Sequence, residues 1–159
     1  MKRRNFMKTG IMAIFSLYGF TKVTPCIAED NYLANAQSVK SYHQFRGVYY
    51  GELQNGRILL PDTFSKQLLK ECLVLIAPGK NCPLLLFTQS SPEWRALEQM
   101  FEEAGCECLS VLREYVHFDR EGRLCLPEKV IRYAGIRTSD VTIKGRGFAI
   151  EITDSNGQA

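Results

Sequence analysis

The chain has 159 residues, 45% hydrophobic and 23% charged, which suits one domain or two small intertwined ones and excludes wholesale disorder. Its net charge of +3 is unevenly placed: residues 1–44 carry six Lys/Arg against two Asp/Glu, and residues 45–159 carry 14 against 15. That balance excludes nucleic-acid binding by bulk charge in the globular part, so any such binding needs a few focal arginines.

Residues 1–28 read as a signal segment. Lys2 to Lys8 is a basic start, Gly10 to Phe20 is an apolar run too short to span a bilayer comfortably, and Cys26-Ile27-Ala28 is a small-residue cleavage site. Arg3-Arg4-Asn5-Phe6-Met7-Lys8 resembles the twin-arginine export signal. The other reading is an upstream or membrane-touching segment with no export. Residues 29–44 are polar and unperiodic and read as a linker.

From Phe45 the periodicity becomes readable. Phe45 to Leu53 predicts a strand, Gln54-Asn55-Gly56 a tight turn, and Arg57 to Leu60 the return strand. Pro61 opens a short helix with Phe64, Leu68 and Leu69 as its core stripe. Leu73 to Ile76 and Leu84 to Phe87 follow as buried strands. Pro92 to about Ala104 is a helix with Trp94, Leu97 and Phe101 on one face. The order then repeats: a strand over Tyr115 to Phe118, a turn over Asp119 to Gly122, a strand over Arg123 to Leu126, and a helix from Pro127 to Tyr133 stopped by Gly135. Strands over Val141 to Ile143 and Phe148 to Ile152 complete it, and 154–159 reads as a frayed tail.

One phrase marks the repeat. Asn55-Gly56-Arg57-Ile58-Leu59-Leu60-Pro61 returns as Glu121-Gly122-Arg123-Leu124-Cys125-Leu126-Pro127. Neither hairpin buries a face alone, so the copies are expected to interleave their strands and close a small barrel.

The six cysteines form no CxxC pair and no Cys/His metal spacing, so reduced thiols are expected, with Cys125 in the core. No metal, cofactor or small-molecule substrate is expected. No nucleophile triad, paired carboxylates or glycine-rich phosphate loop is visible, which argues against an enzyme.

Phe45-Arg46-Gly47, the Gly56-Arg57…Pro61 phrase, Leu84 to Phe87 followed by Pro92-Glu93-Trp94, Asp119 to Arg123 with Pro127, Tyr133 to Ile136, and Gly145 to Glu151 together resemble the MraZ family in the expected order, over about residues 45–152. The resemblance implies a mostly β fold with short helices: a tandem swapped-hairpin, AbrB-like β-barrel, a pseudo-dimer in one chain. It divides the chain into units of SpoVT/AbrB type at 45–91 and 113–153, joined by a connecting helix within 92–112. It also implies a cytoplasmic, nucleoid-associated transcriptional regulator of the division and cell-wall gene cluster, assembled as a homo-oligomeric ring on repeated double-stranded DNA boxes.

The family's DNA-contacting pattern, Asp-x-x-x-Arg, falls on Asp119 and Arg123; in the first unit it falls on Arg57, with Leu53 at the Asp position. An Arg at a hairpin offers two donors to guanine O6 and N7, and an Asp four residues earlier is expected to hold that guanidinium in one rotamer. From spacing alone, Asp119 and Arg123 read as an ordinary surface ion pair; the repeat and the resemblance turn the reading towards DNA contact. Gly56 and Gly122 are turn residues. Arg46, Arg120, Lys144 and Arg146 read as solvated charges, with phosphate contact as the alternative, and His117 as a half-buried strand residue. The rival readings are an exported barrel that no longer binds DNA, with a membrane or export contact through residues 1–28, and, ranked low, an antitoxin-like partner.

Overall fold

The computed structural model describes residues 45–104 and 111–157. The signal-like segment and linker (1–44), together with Cys106 and Cys108, lie outside the described residues. Residues 45–91 and 111–157 form one compact unit, and residues 92–104 belong to another.

In chain order the elements are β1 (Val48–Gln54), β2 (Arg57–Ile58), α1 (Asp62–Leu68), β3 (Leu73–Ala77) and β4 (Leu84–Thr88). Then come α2 (Pro92–Ala104), β5 (Leu112–Val116), β6 (Leu124–Cys125), α3 (Glu128–Tyr133), β7 (Asp140–Gly145) and β8 (Ile150–Asp154). The fold is mostly β with short helices. Helix α2 forms the second unit as far as it is described; its Trp94 and Phe101 rings lie 6.3 Å apart.

The eight strands form one antiparallel sheet in the order β5-β3-β4-β8-β7-β1-β2-β6. Its two ends meet. Phe118 bridges Leu124, and the Cys125 N–H donates to the His117 carbonyl at 3.0 Å, giving a nearly closed barrel. Pairing crosses between the repeats: β1 lies on β7, with Val48 opposite Lys144, and β5 lies on β3, with Leu73 opposite Val116. The first strand of each copy therefore docks on the third strand of the other. Followed around the ring, with β6 returning to β5, the strand order reads the same when the copies are exchanged, so the barrel is an AbrB-like pseudo-dimer within one chain.

Burial follows the pattern of the sequence. Strand β1 alternates between exposed and half-buried positions, as a strand with one solvated face does. Strands β3 and β4, continuous apolar runs, are buried at every position. Pro61 and Pro127 each stand immediately before a short helix, where a missing N–H costs nothing. Helix α1 turns Phe64 into the core, edge-on to Phe45 at 5.4 Å and to Tyr49 at 5.2 Å. Lys129 on α3 is ion-paired with Glu114 of β5.

Several sequence expectations need correction. Leu69 is the residue after α1, points outward and is 59% exposed, so the helix buries Phe64 and Leu68 only. Cys125 is half-buried on the outer face and not in the core, because Leu124 next to it takes the inward position. His117 is exposed. Arg146 is no free surface charge: its Nε donates to the buried Glu151 carboxylate at 2.8 Å.

The C-terminal residues to 157 are tied down, not frayed. Asp154 accepts from the Arg137 N–H at 2.8 Å, the Thr138 hydroxyl at 2.8 Å and the Asn156 N–H at 2.9 Å. The Ser155 N–H donates to the Asp140 carbonyl at 2.9 Å. These bonds, led by that from Arg137, pull the Asp154 carboxyl from 3.8 down to about 2. A carboxyl with a depressed native value adds stability that is complete above the unfolded value and is lost as pH falls through the native one. Asp154→Ala is therefore expected to lower unfolding free energy by about 1–2 kcal/mol at neutral pH. In urea titrations the gap between variant and parent should close as pH drops from 4 towards 2; a gap independent of pH would refute the assignment.

Candidate nucleic-acid interface

Strands β2 and β6 lie side by side at the seam of the two repeats, with Arg57 opposite Cys125 and Ile58 opposite Leu124. Ile58 and Leu124 are fully buried, so alternation sends Arg57, Leu59, Arg123 and Cys125 to the outer face. The side chains of Arg57 and Arg123 are 50% and 40% exposed. The sequence thus places one arginine in β2 and one, from the other copy, immediately before β6, both on the outer face of this two-stranded ribbon.

The two hairpins close differently. In the first, Gln54 pairs with Arg57, leaving the two-residue loop Asn55-Gly56 with φ of 51° and 72°. Asn and Gly tolerate this left-handed backbone, which matches the twist of a tight hairpin. The tip is pinned across the seam by the Leu126 N–H, which donates to the Gly56 carbonyl at 2.7 Å. In the second hairpin the Asp119 N–H donates to the Arg123 carbonyl at 2.8 Å, and three residues, Arg120-Glu121-Gly122, make the loop. Gly122 has φ of 77°, and a Cβ there would meet nothing within 4 Å.

The first loop is one residue shorter, which shifts the correspondence between the copies. The residue opposite the hairpin arginine is Asp119 in one copy and Gln54 in the other. Fixed Asp-x-x-x-Arg spacing lands on Leu53, whose side chain packs on the core instead.

The Asp119 carboxylate serves both copies. One oxygen accepts the backbone N–H groups of Glu121 and Arg123, each at 2.9 Å, and fixes the turn. The other accepts from Arg57 Nη1 at 3.4 Å, reaching across from one repeat to the other. The Arg123 N–H, then that of Glu121, then the Arg57 and Arg123 charges hold this carboxyl below its usual range, against the opposing cost of desolvation. The Arg123 guanidinium pairs with Glu121 at 3.1 Å. The expected brace is therefore rearranged: Asp119 holds the backbone of Arg123 and the side chain of Arg57.

The structure brings Arg57, Asp119 and Arg123 together at one seam, with Gly56 and Gly122 in the loops beside them. Glu121, Gln54 and Leu59, which the sequence marks only as turn or repeat residues, belong to the same face. Glu121 lies two residues before Arg123 in an exposed loop, a spacing that signals a salt bridge only once the loop is known. Among the described residues no three His, Cys, Asp or Glu side chains gather as metal ligands, and no helix is long and apolar enough to cross a membrane.

No family model matches the chain. It is 30% identical over 124 residues to "Transcriptional regulator MraZ" of Acetivibrio thermocellus, covering 69% of this chain and 82% of that protein. It is 31% identical over 118 residues to the protein of the same name from Caldicellulosiruptor bescii, covering 64% of this chain and 73% of that one. With such identity spread over most of a relative's length, and with the doubled phrase folded into one interleaved barrel, the chain belongs to the MraZ family.

Proposed function

We propose that this chain is a sequence-specific DNA-binding transcriptional regulator that acts at repeated promoter boxes of a division and cell-wall gene cluster. The observation that carries this reading is the pair of half-exposed arginines on one antiparallel ribbon. A ribbon of this kind fits the major groove, where an arginine offers paired donors to guanine. Segments 45–91 and 113–153 act as the two SpoVT/AbrB-type units of the regulator. The globular part carries no surplus of positive charge, so the arginines supply focal contacts and assembly into a ring multiplies them over several boxes.

The test titrates a GC-containing fragment from upstream of the chain's own gene with the full chain at several salt concentrations. Binding is expected to weaken with salt and to strengthen with the number of boxes. Absence of binding even at low salt would overturn the reading.

The twin-arginine-like start supports a second reading, an exported barrel that has left DNA behind. N-terminal sequencing of the native protein separates the two: cleavage near Ala28 and recovery outside the cytoplasm favour export.

A further inference from the structure

We infer that Asp119 positions the arginine of the opposite repeat, and that Arg57, not the Arg123 of the intact motif, is the dominant DNA reader. The inference rests on the DNA-binding reading above.

The two arginines have unlike carboxylate partners. The partner of Arg57 is rigid: the Asp119 side chain is 14% exposed and its other oxygen is locked by two backbone N–H groups at 2.9 Å. Arg57 gives Nη1 to this fixed acceptor and stays half-exposed. A guanidinium has five donors in one plane, so donors are left for a base edge. A guanidinium already held in one orientation loses less side-chain entropy on binding.

Arg123 has the opposite arrangement. Its partner Glu121 stands in the hairpin loop, and its side chain is 65% exposed. Glu121 presents a negative charge where phosphates would approach, so a like-charge cost falls on this hairpin when DNA arrives. The place from which a rigid brace for Arg123 would come, by exchange of the copies, holds the neutral and exposed Gln54. The hairpin with the complete motif thus lends its carboxylate to the hairpin without one, and receives none in return.

The experiment is a double-mutant cycle on the full chain with the promoter fragment at fixed salt. Asp119→Asn keeps an oxygen for the turn N–H groups and removes the charge that faces Arg57. It is expected to weaken binding roughly 3–10-fold in the parent and in Arg123→Ala, and less than about twofold in Arg57→Ala. Arg57→Ala should cost more affinity than Arg123→Ala, and Glu121→Gln should tighten binding. Equal losses from Asp119→Asn in both arginine backgrounds, or a larger loss from Arg123→Ala, would overturn the inference.

A readout without DNA separates the two levels. In the free chain, NMR titration of the Asp119 carboxyl should shift upward in Arg57→Ala. If the chain binds the fragment while Asp119 ignores Arg57, the inference falls and the DNA reading stands. If Asp119 senses Arg57 but no fragment binds, the DNA reading falls and takes the inference with it.

Discussion

Phe64→Ala is expected to lower the unfolding free energy by about 3–5 kcal/mol, a large share of the roughly 5–15 kcal/mol by which a domain is stable. Phe64 is 1% exposed and meets two aromatic rings edge-on, one of them from Phe45 at the start of the barrel. Helix α1 is seven residues long, too short to persist without the packing of its buried face. Removing the ring leaves a cavity under α1 and frees both partners, so the loss includes lost contacts as well as lost burial. Urea unfolding followed by circular dichroism measures it. Leu69→Ala, one residue beyond the same helix, should stay within about 0.5 kcal/mol because that side chain is exposed. A Phe64→Ala loss below about 1 kcal/mol would place the ring outside the core.

Replacing Arg57 and Arg123 together by alanine is expected to remove about 2–6 kcal/mol of site-specific affinity, since each bidentate guanine contact supplies about 1–3 kcal/mol. Salt-dependent, sequence-independent attraction sets the floor, so the variant should bind cognate and scrambled fragments equally weakly. Fluorescence anisotropy at one salt concentration with both fragments measures the ratio. Both side chains lie on the solvent face and their partners are exposed or hydrogen-bonded elsewhere, so thermal stability should hardly change. Unchanged discrimination between the fragments would move the contact surface away from the seam.

The doubled Gly-Arg…Pro phrase made the architecture legible. It placed four strands and two short helices at matching positions, and the inability of either hairpin to bury a face alone led to interleaving. The side chains that face each other across the seam were not legible. Whether Asp119 meets Arg57 or Arg123 depends on which strands are neighbours, which no local spacing encodes. The correspondence of Gln54 with Asp119 was hidden because counting back from arginine assumes equal loops, and a two-residue turn pairs a different residue from a three-residue one. Cys125 and Leu69 were misplaced for a simpler reason. Cys125 lies between Leu124 and Leu126, which take the inward face, so its apolar character misleads where alternation does not; Leu69 falls just past the end of its helix, where the helical period no longer applies. The bonds from Arg137 and Thr138 to Asp154 join residues distant in the chain and show no local signal, whereas the turn to Asn156 is local.

The crossing of β1 onto β7 bears on how the protein is made. The partner residues lie some ninety positions apart, so on the ribosome the Val48–Gln54 edge emerges long before Asp140–Gly145 is synthesised. Until then that edge stands open, and β3 and β4 of the nascent first repeat, though paired with each other, each lack the neighbour on their other edge, β5 and β8. Such distant pairing slows closure, so the freshly translated chain depends on completing its second half before it meets another unfinished copy.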